Sequence, residues 1–113
     1  MAWILNAIER DIRELRDSVE VFSKKKLDDH SESLILLIDN VALLSLRSIP
    51  GGQERDVLVS MLAIKEEEQG KGKAKSLLSL LCSIANRWRV TLYAKACLIV
   101  LNGKGLRRKV TIQ

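Results

Sequence analysis

The chain is poor in aromatic side chains: two Trp, one Tyr and one Phe make up 4% of 113 residues. Stacking platforms for single-stranded nucleic acid are therefore scarce. Cysteine and histidine are nearly absent too. Cys82 and Cys97 lie in apolar stretches, there is no Cys-x-x-Cys, and His30 is solitary. No set of zinc ligands is on offer and no metal site is expected; the thiols read as buried and free in a reducing compartment. No run approaches the ~20 apolar residues of a membrane span. The apolar stretch 1–7 is followed at once by Glu9, Arg10, Asp11 and Arg13, which is not the layout of a secretory leader. The expectation is a cytoplasmic protein with no membrane partner.

What is present is ordinary for a folded domain. Hydrophobic residues are 47% and charged residues 29% of the chain, enough for one core but not two. The net charge of +5 and a pI near 9.5 favour an acidic or phosphate-bearing partner.

Ile4, Ile8, Ile12, Leu15, Val19 and Phe22 recur at spacings of three and four, which predicts one N-terminal helix over 1–26. Glu9/Arg13 and Arg10/Glu14 would pair on its outer face, and Lys24–Lys26 would suit its C-terminus. A polar link, 28–33, follows. "LILLIDNVALLSLRSI" (34–49) predicts a hairpin turning at Asp39-Asn40, ended by Pro50-Gly51-Gly52. "DVLVSMLAIK" (56–65) predicts a third strand, apolar on both faces, central and covered on both sides. From Lys73, the apolar positions Ala74, Leu77, Leu78, Leu81, Ala85 and Trp88 predict a second helix. "RVTLYAKA" (89–96) then forms a strand parallel to the third through a right-handed crossover. The tail, 97–113, fits a short helix, a Gly103/Gly105 turn and a last strand, or a plain hairpin. Trp3 and Trp88 read as packing residues. The fold class is α/β (α+β): one domain over 1–113, with a single mixed, mostly antiparallel sheet flanked by helices.

Between the third strand and the second helix stands "EEEQGKGKAKS". A strand feeding a glycine-rich loop that opens a helix is a generic anion site, because the first-turn amides are unpaired and the helix dipole adds partial positive charge. Gly70 and Gly72 remove side chains that would hold a phosphate off the backbone, and Lys71, Lys73 and Lys75 add cationic charge. A solvated loop with an ordinary glycine turn is the alternative. The spacing does not match a Walker A loop. Lys75 stands where a dinucleotide fingerprint needs its third glycine.

Gln69-Gly70-Lys71-Gly72-Lys73-Ala74 resembles Gln/Arg-x-x-Gly-x-Gly/Ala, the pyrophosphate loop of the GNAT superfamily of acyl-CoA N-acyltransferases. Leu62-Ala63-Ile64 stands at that family's "LAV" strand segment, and the upstream hairpin, the following helix and "VTLYAKA" fall in the family's order. The resemblance extends from about Asp56 to Ala96 and more weakly back to Leu34. It implies an acyl-CoA N-acyltransferase-like fold that binds acetyl-CoA. The pantetheine arm would pair with the backbone of Leu62, Ala63 and Ile64 where two strands splay apart. The pyrophosphate would lie on the amides of Gly70 to Ala74, with Gln69, Lys75 and Ser76 flanking it.

The chain departs from the family where chemistry is done. Under the same alignment, Ala94 and Leu101 take the places of the usual asparagine and tyrosine. Leu58 takes that of the base glutamate in the histone-modifying branch. Leucine neither donates nor accepts a proton. The remaining candidates are Glu66, Glu67 and Glu68 at the strand end, weighed against an acidic surface turn, and Tyr93, weighed against core packing. The chain is short, with one helix where larger members have two before the sheet.

Three functions follow. The first is N-acetyl transfer from acetyl-CoA to an amine on an acidic protein, a peptide or an RNA-linked substrate, with reactant positioning supplying much of the rate. The second is a non-catalytic CoA-binding or protein-interaction domain on a degenerate acetyltransferase fold. The third is a basic nucleic-acid-binding domain using Lys71, Lys73, Lys75, Lys104, Arg107, Arg108 and Lys109, although no recognition motif for it is visible. A homodimer through an edge strand would extend so small a sheet.

Overall fold

Trp3–Leu15 form helix α1, with Ile4, Leu5, Ile8 and Ile12 buried along one stripe. The helix stops there. Arg16 is extended (φ −131°, ψ 149°), and the chain turns into strand β1, Val19–Lys26. The expected helix over 1–26 is thus a helix followed by a strand. Val19 and Phe22 continue the helical spacing, but Val19 and Val21 also alternate, and β-branched residues favour a pleated surface. Pairing with β2, Glu32–Ile38, decides the matter. Lys24–Lys26 accordingly lie on an edge strand rather than at a helix end, and Lys24 reaches Glu9 at 3.5 Å. The Glu9–Arg13 pair forms at 3.0 Å.

The structure is a computed structural model describing residues 2–94 and the strand pair 111–112, of which only the backbone is described. Strand β3 is Ala42–Ser48, β4 is Asp56–Ile64, α2 is Lys73–Trp88, β5 is Thr91–Ala94 and β6 is Thr111–Ile112. They form one mixed sheet in the order β1-β2-β3-β4-β5-β6, antiparallel except for β4 and β5. The fold class and the parallel crossover are as the sequence implies; β1 is the added strand.

Local chemistry explains the turns. Asp39 (φ 52°) and Asn40 (φ 57°) both take the left-handed conformation, and Val41 N donates to the Ile38 carbonyl at 3.0 Å. That is the type I′ geometry matching the twist of two antiparallel strands. Pro50 and Gly51 (φ 73°) turn the chain after β3, closed by Gly52 N to the Ile49 carbonyl at 3.0 Å. Helix α2 ends with Arg89 left-handed (φ 57°, ψ 42°), and its last carbonyls are satisfied by Val90 N to Ala85 O at 2.8 Å and Arg89 N to Asn86 O.

Both helices pack on one sheet face. Leu77, Leu81 and Ile84 of α2 join α1 over Leu36, Leu44, Leu46, Val57, Val59 and Leu92 in a single core. β4 is central, but among the described residues helices cover only that face. Leu58, Met61 and Ala63 point to the other side and are half-buried. No helix among the described residues is long and apolar enough to cross a membrane.

Candidate functional site

β4 delivers the chain to the start of α2 at the edge of the core. Its pairing with β5 covers only Asp56 to Val59, opposite Thr91 to Ala94. On the β3 side the register slips by one residue between Ser45 and Leu46, so Ser60 is a bulge, and a bulge bends its strand. From Met61 to Ile64 no described strand lies alongside the β5-facing edge. Leu62 and Ile64 bury their side chains in the core while Ala63 faces the other way.

Beyond the strand, Glu66–Glu68 make one turn of 3-10 helix. Gln69 then ties the loop back to the strand: its Nε2 donates to the Ile64 carbonyl at 3.1 Å. Gly70 (φ 80°) and Gly72 (φ 77°) both adopt the left-handed region, and Gly72 is the N-cap of α2. A Cβ at either glycine would meet no atom within 4 Å, so their side chains are absent for conformation and access, not for internal packing. No side chain caps the helix. None of the amides from Gly70 to Lys75 donates to a backbone carbonyl among the described residues; Ser76 N, bonded to Gly72 O at 2.9 Å, is the first that does. The result is an exposed run of free N–H groups at the positive end of a 16-residue helix.

The cationic charge of this loop is largely answered from within. Glu68 lies 3.3 Å from Lys71 and 3.7 Å from Lys73, and Glu67 lies 3.9 Å from Lys65. Lys75 alone of these lysines has no carboxylate partner among the described residues. Backbone amides, more than ammonium groups, therefore carry the positive character of this loop.

Arg16, which no motif marks, adjoins the loop. From the link between α1 and β1 its Nη2 donates to Ser76 Oγ at 3.1 Å. Its Nε is buried without a hydrogen-bond partner. Arg16, Asp39, Lys73 and Ser76 line a cavity of about 100 Å³ against the first turn of α2. No local pattern marks an arginine in a linker; only the tertiary fold brings it here.

The catalytic candidates are placed less favourably. Glu66 and Glu67 are exposed, and Glu68 is occupied by the two lysines. Tyr93 is not a core residue: it is 37% exposed on the face away from the helices, opposite Leu58 of β4. Its place in a strand suggested burial, but alternation points it outward. Leu101, the aligned acid position, lies outside the described residues, as do Cys97, Lys104, Arg107, Arg108 and Lys109. Cys82 is a free, half-buried thiol on α2, its pKa pushed up by burial, which disfavours the reactive thiolate. Comparison with known protein families, with characterised proteins and with solved structures finds no match.

Proposed function

We propose that the loop from Gln69 to Ser76 binds the pyrophosphate of acetyl-CoA, and that the chain transfers the acetyl group to an amine. One observation carries this reading: backbone amides without a carbonyl partner among the described residues run from Gly70 to Lys75, beside a central strand whose far half pairs with β3 but has no described neighbour on its β5-facing edge. The first feature suits a diphosphate. The second leaves backbone groups on that edge for the amide groups of a pantetheine arm along Leu62, Ala63 and Ile64, the Ile64 carbonyl already accepting from Gln69 Nε2. Arg16 and Lys75 add charge at the rim, Arg16 through the donor that is buried without a partner.

The chemistry requires a neutral amine, since a protonated one has no lone pair with which to attack the thioester. The described residues bring no buried acid or base to the loop. In this reading the substrate amine loses its proton to water before attack, and the thiolate leaves without a dedicated donor. Holding amine and thioester together supplies the rate. A basic protein suits an acidic protein, peptide or RNA-linked amine as acceptor, and acetyl-CoA supply and the free thiol of Cys82 fit a cytoplasmic setting.

The exposure of Glu66, Glu67 and Tyr93 favours a second reading, a CoA-binding domain without catalysis. Calorimetry with acetyl-CoA tests the shared part; absence of binding removes both readings. A thioester-cleavage assay with amine acceptors then separates them.

A further inference from the structure

The two tryptophans of the chain meet at the other end of α2. Trp3 and Trp88 stand edge to face, with ring centroids 6.0 Å apart and planes at 74°. Three guanidinium groups lie against them: Arg55 at 5.1 Å from the Trp3 centroid, and Arg87 and Arg10 at 5.3 and 5.8 Å from that of Trp88. The length of α2 puts this cluster about 24 Å from the glycine loop. It is a separate surface.

Both carboxylates in the cluster are already committed. Asp11, buried on α1, accepts from Trp88 Nε1 at 2.8 Å and from Arg87 Nη1 at 3.3 Å. Glu54 accepts from Trp3 Nε1. Arg55 donates to the Trp88 carbonyl at 2.6 Å, capping the helix. Arg10 has no carboxylate partner among the described residues. The expected pair with Glu14 is not formed, and Arg10 lies over Trp88 instead. Arg89, exposed directly after Trp88, has none either. Cation is therefore in surplus around an aromatic pair of which Trp3 is 40% exposed. A guanidinium stacked on an indole keeps its in-plane N–H groups for a carboxylate, and Trp and Arg concentrate binding energy at protein interfaces.

We propose that this arginine–tryptophan surface docks an acidic segment of a partner protein, whose carboxylates pair with Arg10, Arg89 and the outer edge of Arg87 while apolar atoms cover Trp3. Charge complementarity selects the partner's chemistry. Single-stranded nucleic acid fits less well, because the rings on which bases would stack already carry guanidinium groups.

Both tryptophans report from within the surface, so intrinsic fluorescence of the full chain is the readout. Titration with a glutamate-rich decapeptide should give a saturable change. The double variant Arg10→Glu/Arg89→Glu should weaken it by about tenfold or more, whereas Lys25→Glu/Lys26→Glu, the same charge change on β1, should leave it within about twofold. Circular dichroism establishes folding. If the reversal variant does not fold, Arg10→Gln/Arg89→Gln carries the same comparison with Lys25→Gln/Lys26→Gln. No saturable change, or equal weakening by the two double variants, would overturn the proposal. So would tighter binding of a single-stranded oligonucleotide of equal charge that is lost in the Arg10/Arg89 variant.

Discussion

Lys71 reaches back to Glu68, its Nζ 3.3 Å from one carboxylate oxygen, and Lys73 stands 3.7 Å from the other. An acid that holds two of the loop's lysines reduces the field they present to a ligand. Lys71→Ala and Lys73→Ala should each weaken acetyl-CoA binding by only about 0.5–1.5 kcal/mol, as for exposed charges near a phosphate. Glu68→Gln should tighten it, by releasing both ammonium groups. Calorimetry checks the signs, and complete loss from either lysine change would show that amides are not the main contact.

Gly72 has more at stake. Its φ of 77° places any other residue in the left-handed region, at a cost of about 1–2 kcal/mol. Gly72→Ala should lower the unfolding temperature, and Gly72→Glu should lower it similarly, because a side chain there meets no protein atom. Binding should separate them: weakened by Ala, abolished by Glu, whose carboxylate would occupy the ligand's place. Full affinity in a folded Gly72→Glu protein would remove the coenzyme from this loop.

Acetyl transfer should be slow and should rise with pH as the acceptor amine loses its proton unaided. Glu66→Gln, Glu67→Gln and Tyr93→Phe should leave the rate within about threefold, a change too small for loss of a general acid or base. Leu101→Tyr, which restores a donor at the aligned acid position, should increase turnover. A bell-shaped profile on the native protein would demand an acid and a base of its own.

Asp11 is the buried ionisable group on which the two helices depend. Asp11→Ala would leave the Trp88 indole N–H and the Arg87 guanidinium without their acceptor, and should cost about 2–4 kcal/mol in denaturant unfolding. Asp11→Asn keeps an acceptor oxygen and should cost less.

Asp29 makes a pH-dependent contribution to stability. Hydrogen bonds from the Ser31 hydroxyl and amide, with Arg47 adding charge at 2.6 Å, hold its carboxyl below the ordinary value of 3.8. A depressed carboxylate pKa stabilises the fold fully above the unfolded value, near pH 4, and loses that contribution as pH falls through the folded one. Asp29→Asn should lower the unfolding temperature at neutral pH and flatten its decline below pH 4.

How much of this was legible depended on whether the deciding interaction was local. Asp39-Asn40 specifies its own turn, and the apolar stripe of α2 its own burial, so the hairpin and second helix were readable. The glycine loop was readable for the same reason, since both left-handed positions are glycines. Val19 and Phe22 satisfied two periodicities at once, and only the β2 partner strand chose between them. Arg16 reaches Ser76 across 60 positions of sequence, and Arg10 left Glu14 for an indole on another helix. Such choices are tertiary and leave no local trace.

The order of strands in the sheet is also their order in the chain. Each strand therefore finds its template among residues already synthesised, and a short connection closes every antiparallel pair from β1 to β4. The entropy of bringing partners together stays small at each of those steps. Between β4 and β5 lies a long segment, and α2 fills it with hydrogen bonds of its own. The four-strand meander can thus assemble as the chain emerges, with the glycine loop and α2 added afterwards as one unit. Hydrogen exchange during refolding should show protection spreading through β2–β4 before it reaches β5, so that the glycine loop takes shape only after the meander that carries it.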